Sequence, residues 1–138
     1  MRIPVWDCPH CNAKISGYTI CQKCWIPWRP TLDEYQEAAL SVAFYPQMGR
    51  NPIYPALGIA GEAGEVCEKV KKVLRDEGGI FDSADAAAIG QELVDVLWYI
   101  TAMARELGLS LHDIAVMNLA KLERRSRQGT LSGSGDDR

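Results

Sequence analysis

The segment from residue 86 to residue 104 constrains the fold most, because its pattern is that of a long helix that is apolar almost all the way round. Its charged residues are Glu92 and Asp95, three positions apart, so they project from one side of the helix, one turn apart. A helix that is apolar on every face is expected to lie buried at the centre of a domain. Acidic side chains seldom sit in such surroundings unless they are paired or bind a metal. We therefore predict a central helix that carries a functional acidic pair.

A second acidic pair, Glu62 and Glu65, has the same spacing on the preceding helical pattern, which runs over about residues 56–76. Two such helices packed antiparallel would gather four carboxylates, which cannot all stay ionised without a counter-charge. Hard divalent cations with oxygen ligands supply that charge, and Mg²⁺ so held usually takes its remaining ligands from substrate phosphates. The residues thus predict metal-dependent hydrolysis of a phosphate-rich small molecule, with room for two ions. For Glu62 and Glu65 a solvated acidic patch remains an alternative.

Cationic and amide side chains near the acidic pairs are candidates for substrate binding. Two lysines follow the first pair along the same side of its helix, and three further candidates lie on the last helical pattern of the chain. The candidates are Lys69, Lys72, Asn118, Lys121 and Arg124. A solvated helix face is the alternative for those on the last helix.

Four helical patterns follow one another after residue 30, and together they predict an all-α bundle. The first opens with a capping box from Thr31 to Glu34 and extends to about residue 44. The others cover about residues 56–76, 83–107 and 111–128. We expect the bundle to occupy residues 31–129 and the polar tail, residues 130–138, to be disordered.

Residues 1–30 hold four of the five cysteines, arranged as two C-x2-C pairs separated by nine residues: Cys8, Cys11, Cys21 and Cys24. Two such knuckles can deliver four thiolates tetrahedrally to a structural Zn²⁺, whose closed shell leaves no position for water. Two disulfides are the alternative. The segment resembles a short zinc ribbon, and the aromatic stretch at residues 25–28 is expected to pack it against the main domain.

Charge and hydropathy exclude several classes of partner. The net charge is -3 and the part of the chain after residue 30 is acidic, which argues against nucleic acid as the main ligand. No apolar run approaches the ~18 residues of a membrane span, and the first residues lack the pattern of a signal peptide. A cytoplasmic protein without a membrane partner is the expectation.

Three sequence blocks together resemble the MazG family of all-α nucleoside triphosphate pyrophosphohydrolases. They are residues 57–66, which contain Glu62 and Glu65, residues 92–99, which contain Glu92 and Asp95, and residues 118–122. The family signature is E-x2-E, a spacer, then E-x2-D, and here the spacer between Glu65 and Glu92 is 26 residues. The resemblance covers about residues 31–129.

The resemblance implies that the four acidic residues hold Mg²⁺, with Mn²⁺ as a possible substitute. A metal-activated water would then attack the α-phosphorus of a nucleoside triphosphate and release a nucleoside monophosphate and pyrophosphate. Lys69 or Lys72 and Lys121 would contact phosphates, and Asn118 would lie near the nucleoside. Related enzymes form dimers or tetramers, so a homo-oligomer is expected, and the zinc-ribbon-like segment falls outside the family pattern.

Two other functions remain open at this point. The chain could hydrolyse another phosphorylated nucleotide, such as phosphoribosyl-ATP or an alarmone. It could also be a zinc-ribbon adaptor whose bundle is a dimerisation scaffold, although a scaffold gains nothing from buried acids.

Overall fold

The computed structural model describes residues 5–17, 20–21, 23–24 and 29–132. In chain order the elements are β1 (Val5–Asp7), β2 (Lys14–Ser16), α1 (Leu32–Leu40), α2 (Ile53–Asp76), α3 (Ser83–Glu106) and α4 (Leu111–Arg127). The predicted all-α bundle of four helices after a small cysteine-rich unit is confirmed. The predictions for residues 25–28 and for the end of the tail, residues 133–138, lie outside the described residues.

The cysteine-rich unit is built on a two-stranded antiparallel hairpin in which Trp6 lies opposite Ile15. Between the strands, Asn12 adopts a left-handed backbone with φ 54°, which asparagine tolerates better than most residues. The amide of Asn12 donates to the carbonyl of Cys8 at 2.9 Å and so closes the turn. The sequence did not predict these strands, because three residues are too few for an alternating pattern to show.

The ends of α1 and α2 differ from the predicted ones. The capping box of Thr31 and Glu34 opens α1 as expected, but the helix ends at Leu40 instead of near residue 44. After Leu40 the chain turns, which places Tyr45 against Leu40 and Ala102 in the core. α2 begins at Ile53, earlier than expected, with Pro55 in its first turn, where proline costs no hydrogen bond.

The most extensive helix pairing is between α2 and α3, while α1 packs against α3 and α4. A single side chain, Gln36 of α1, fixes the loop between α3 and α4. Its Nε2 donates to the carbonyl of Leu109 at 3.1 Å, and its Oε1 accepts from the amide of Leu111 at 2.7 Å. Gln36 thereby sets where α4 begins relative to α1.

The loop between α1 and α2 is fixed by one carboxylate, that of Glu106. It accepts from the Tyr45 hydroxyl at 2.6 Å and from the amides of Gly49 at 2.7 Å and Asn51 at 2.8 Å. The Tyr45 hydroxyl first, and then the two amides, hold the pKa of Glu106 below its ordinary value. Asn51 in turn accepts from the amide of Tyr54 and satisfies the N-terminus of α2.

The expectation that α3 is buried on every face is wrong. Leu93 is 53% exposed, Val94 57% and Leu97 41%. The reason is that α4 packs against α1 and leaves this face of α3 uncovered. Several apolar residues of α4 are exposed as well: Val116, Met117, Leu119 and Leu122. None of the helices in the described part of the chain is long and apolar enough to cross a bilayer.

The close contact of α2 with α3 predicts opposite effects for two glycine substitutions on α2. A Cβ added at Gly58 would clash with the Tyr99 ring, whereas one added at Gly64 would meet nothing within 4 Å. We expect Gly58→Ala to lower the free energy of unfolding by about 1–3 kcal/mol through overpacking. Gly64→Ala should raise it by about 0.5–1 kcal/mol through helix propensity. Urea denaturation measures both, and equal effects of the two substitutions would contradict the packing described.

Candidate metal and phosphate site

Three carboxylates converge where α2 packs against α3. Glu62, Glu65 and Glu92 each offer an oxygen, and these oxygens all lie within 4.8 Å of one another. Glu62 and Glu65 lie on the same face of α2, because residues three apart share a helix face. The third carboxylate comes from a different helix, so only the packing of the two helices creates the group.

The burial of these carboxylates is graded. Glu65 is exposed, Glu62 is partly buried, and the side chain of Glu92 is only 13% exposed. Burial raises the pKa of Glu62, and the negative charges of Glu65, Asp95 and Glu92 raise it further. The ionised form of Glu62 is therefore disfavoured in the metal-free protein, as expected of like charges that share one site.

Asp95 lies beside this group and is not part of it. It is exposed and stands one helical turn after Glu92. Its negative charge nevertheless contributes to the raised pKa of Glu62. The structure thus brings together three of the four predicted acids and holds the fourth alongside them.

The two lysines predicted on α2 have different surroundings. Lys69 Nζ lies 3.0 Å from Glu92 Oε1, so this ammonium sits at the carboxylate group. Lys72 Nζ instead lies 3.3 Å from Glu68, which also pairs with Lys71. Of the two, Lys69 contacts the cluster, whereas Lys72 pairs with a carboxylate outside it.

The three predicted residues on α4 are not brought to the carboxylates within one chain. Asn118, Lys121 and Arg124 are exposed, on a helix that packs against α1. Among the described residues, no hydrogen bond or ion pair joins them to Glu62, Glu65 or Glu92.

A cluster of four aromatic rings borders the acidic group, and the sequence did not reveal it as a unit. Tyr45 and Tyr54 stack with their centroids 5.0 Å apart, while Trp98 meets Tyr45 and Tyr99 edge to face. Burial raises the pKa of Tyr99, and contact with Tyr54 and the charges of Glu62 and Asp95 raise it further. Tyr99 therefore connects the aromatic cluster to the acids. Tyr45 was missed because it lies in a turn that carries no periodic signal.

The four cysteines of the hairpin unit also converge, with every Sγ within 4.8 Å of the others. No disulfide joins any of these four cysteines, so the structure does not contain the alternative of two disulfides. Burial alone would raise the pKa of Cys8, but hydrogen bonds from the His10 backbone and the neighbouring cysteines lower it to about 6. Four clustered thiols, one of them readily ionised, suit a thiophilic ion such as Zn²⁺.

The crowding of the carboxylates predicts opposite pH dependences for two glutamates on α2. Because the pKa of Glu62 is raised in the folded state, the metal-free protein loses stability as the pH rises through that pKa. Glu68 has a lowered pKa through Lys71 and Lys72, so its contribution is present at neutral pH and is lost as the pH falls.

In the presence of a chelator at pH 7, Glu62→Gln should therefore raise the Tm and Glu68→Gln should lower it. Both differences from the wild type should shrink as the pH falls below the ordinary glutamate range. Thermal unfolding followed by circular dichroism across this pH range checks the prediction. A shift of the same sign for both variants at pH 7 would contradict it.

Comparison with known proteins agrees with the geometry. The family described as the MazG nucleotide pyrophosphohydrolase domain matches residues 54–130, more than half of the chain. The chain is also 39% identical to the Gene 37 protein of Mycobacterium phage L5 over 112 residues, which are 78% of this chain and 98% of the phage protein. No solved structure matches. With both acidic pairs inside the matched region, this chain belongs to the MazG family of nucleotide pyrophosphohydrolases.

Proposed function

We propose that this protein is a Mg²⁺-dependent pyrophosphohydrolase that cleaves nucleoside or deoxynucleoside triphosphates to the monophosphate and pyrophosphate. The observation that carries the proposal is the convergence of Glu62, Glu65 and Glu92 within 4.8 Å, in a region that matches the family. The proposed substrate suits such a site, because Mg²⁺ held by carboxylates usually takes its remaining ligands from substrate phosphates.

The residues present fit a hard divalent cation. Their donors are all carboxylate oxygens, and the raised pKa of Glu62 reflects negative charge that a cation would relieve. We propose that Glu62, Glu65, Glu92 and Asp95 hold Mg²⁺, with Mn²⁺ able to replace it. The ion would supply positive charge for the phosphate oxygens and a lowered pKa for a nucleophilic water.

The protein's own cations would bind the rest of the triphosphate. Lys69 is best placed, because its ammonium already lies among the carboxylates and its side chain is 35% exposed. Lys72 and the α4 residues Asn118, Lys121 and Arg124 are the other proposed substrate contacts. Within the described part of one chain, α4 packs against α1 and its three residues make no hydrogen bond or ion pair with the acids, so in this proposal they act across a subunit interface.

We propose a homodimer or homotetramer, because two helices expose apolar side chains that a second copy could cover. On α3 these include Leu93 and Val94, each more than half exposed, and on α4 they include Met117 and Leu119, each 66% exposed. Each square ångström of such surface removed from water contributes roughly 25 cal/mol. The mass in solution, measured by sedimentation equilibrium, should therefore exceed the 15.3 kDa of one chain. A monomer at micromolar concentration would contradict this.

A nucleotide panel with two glutamate variants tests the proposed activity. Purified protein with Mg²⁺ should release pyrophosphate from one or more canonical or modified triphosphates, and phosphoribosyl-ATP and an alarmone extend the panel to the alternatives. Glu92→Gln should lower turnover by about 100-fold or more, because a cation ligand is lost. Glu68→Gln is the matched control, since Glu68 is exposed on α2 and pairs with Lys71 and Lys72. No release from any substrate, or equal turnover in the two variants, would overturn the proposal.

We propose that Cys8, Cys11, Cys21 and Cys24 hold a structural Zn²⁺. The hairpin strands are only three residues long, so the unit has little apolar surface to bury and would depend on the ion for its folding energy. Elemental analysis of protein purified without chelators should find about one zinc per chain. Cys8→Ser should lose that zinc and leave the helical circular dichroism of the bundle unchanged. Full zinc content in the variant would contradict the assignment.

A further inference from the structure

We propose that Lys69 is an internal counter-ion of the acidic site: its ammonium occupies Glu92 when no divalent ion is bound, and it must leave when one binds. This inference rests on the proposed function, because it takes the carboxylate group to be the metal site. It assigns Lys69 a second role, one that weakens metal binding until substrate phosphates are present.

The contact differs from the exposed ion pairs of the described residues. Lys69 Nζ lies 3.0 Å from Glu92 Oε1, and the pair joins α2 to α3. Each of the exposed pairs links partners at most seven positions apart, with more than two-fifths of each side chain exposed, and such pairs contribute little. Glu92 is only 13% exposed, so its charge is poorly solvated and needs a partner.

The ammonium and a divalent ion compete for the same carboxylate. Glu92 belongs to the three-carboxylate group, and Lys69 reaches it with hydrogen-bonding distance to one oxygen. A lysine ammonium has no lone pair, so it cannot share the ion and can only repel it. We therefore expect the Lys69–Glu92 pair to break when a divalent ion binds in the absence of nucleotide.

The displaced ammonium of Lys69 can move to another position beside the site. Lysine is a point charge on a flexible four-carbon stem, and the Lys69 side chain is 35% exposed, so it can swing away from Glu92 while staying beside the site. A triphosphate bound there would offer it new anionic partners. Lys69 would thus exchange a carboxylate for a phosphate, and metal and nucleotide would each strengthen the binding of the other.

Calorimetric titration of the full-length protein with Mn²⁺, in the absence of nucleotide, tests this. Lys69→Gln should bind Mn²⁺ about 3- to 10-fold more tightly than the wild type, because the competing charge is removed. Lys71→Gln is the matched control: it removes the same charge from α2, but its ammonium pairs with Glu68. It should change the affinity by less than about twofold, since exposed charges are screened. Lys69→Arg, which keeps the charge, should stay near the wild type.

A second measurement uses a non-hydrolysable triphosphate analogue. Saturating analogue should tighten Mn²⁺ binding in the wild type, and this gain should be smaller in Lys69→Gln, because that variant has neither the pair to break nor the ammonium to transfer. Lys69→Met keeps most of the apolar stem and serves the same purpose if Lys69→Gln does not fold, as judged by helical circular dichroism.

The outcomes separate this inference from the proposed function. Unchanged or weaker Mn²⁺ binding in Lys69→Gln, or equal tightening in Lys71→Gln, would overturn the counter-ion role while leaving the metal site in place. Wild-type protein that binds no Mn²⁺, or binding that survives Glu92→Gln, would overturn the metal site and the inference together. Tighter Mn²⁺ binding in Lys69→Gln and Lys69→Met, but not in Lys69→Arg or Lys71→Gln, would establish the competition between the ammonium and the divalent ion.

Discussion

The repulsion between carboxylates held at the contact of α2 with α3 is the constraint on which the rest of the site depends. Glu62, Glu65 and Glu92 are kept within 4.8 Å because the two helices pack along their length, and their charges oppose that packing. Two features reduce this charge repulsion: the pKa of Glu62 is raised, and Glu92 pairs with Lys69. Neither feature would be needed on an apolar contact.

Hydrogen bonds between the end of α3 and the loop before α2 fix the position of α2 relative to α3. Glu106, near the end of α3, binds the loop that leads into α2, and Asn51 of that loop caps α2. At the contact itself, Gly58 lets the Tyr99 ring approach the α2 backbone, which sets the depth of packing next to Glu62. The aromatic cluster and the acids are therefore parts of one arrangement, in which the Tyr99 ring adjoins the clustered carboxylates.

A second face of α3, which carries Leu93, Val94 and Leu97, is left largely exposed by the described residues. These exposed side chains contradict the prediction that α3 is buried on every face, and α4 exposes apolar side chains as well. α4 does not cover that surface, because the hydrogen bonds of Gln36 fix the start of α4 beside α1.

The sequence by itself determined the number and type of helices, the two acidic pairs and the four cysteines, because spacing along a helix or a knuckle is a local property. It missed the strands, the turn that buries Tyr45 and the end of α1, since these follow from contacts between distant residues. Only the tertiary structure decided that three carboxylates converge while Asp95 stands beside them, and that Lys69 pairs with Glu92 while Lys72 pairs with Glu68. The physical reason is that these distances depend on the axial offset and rotation of α2 against α3, which no pattern within either helix contains.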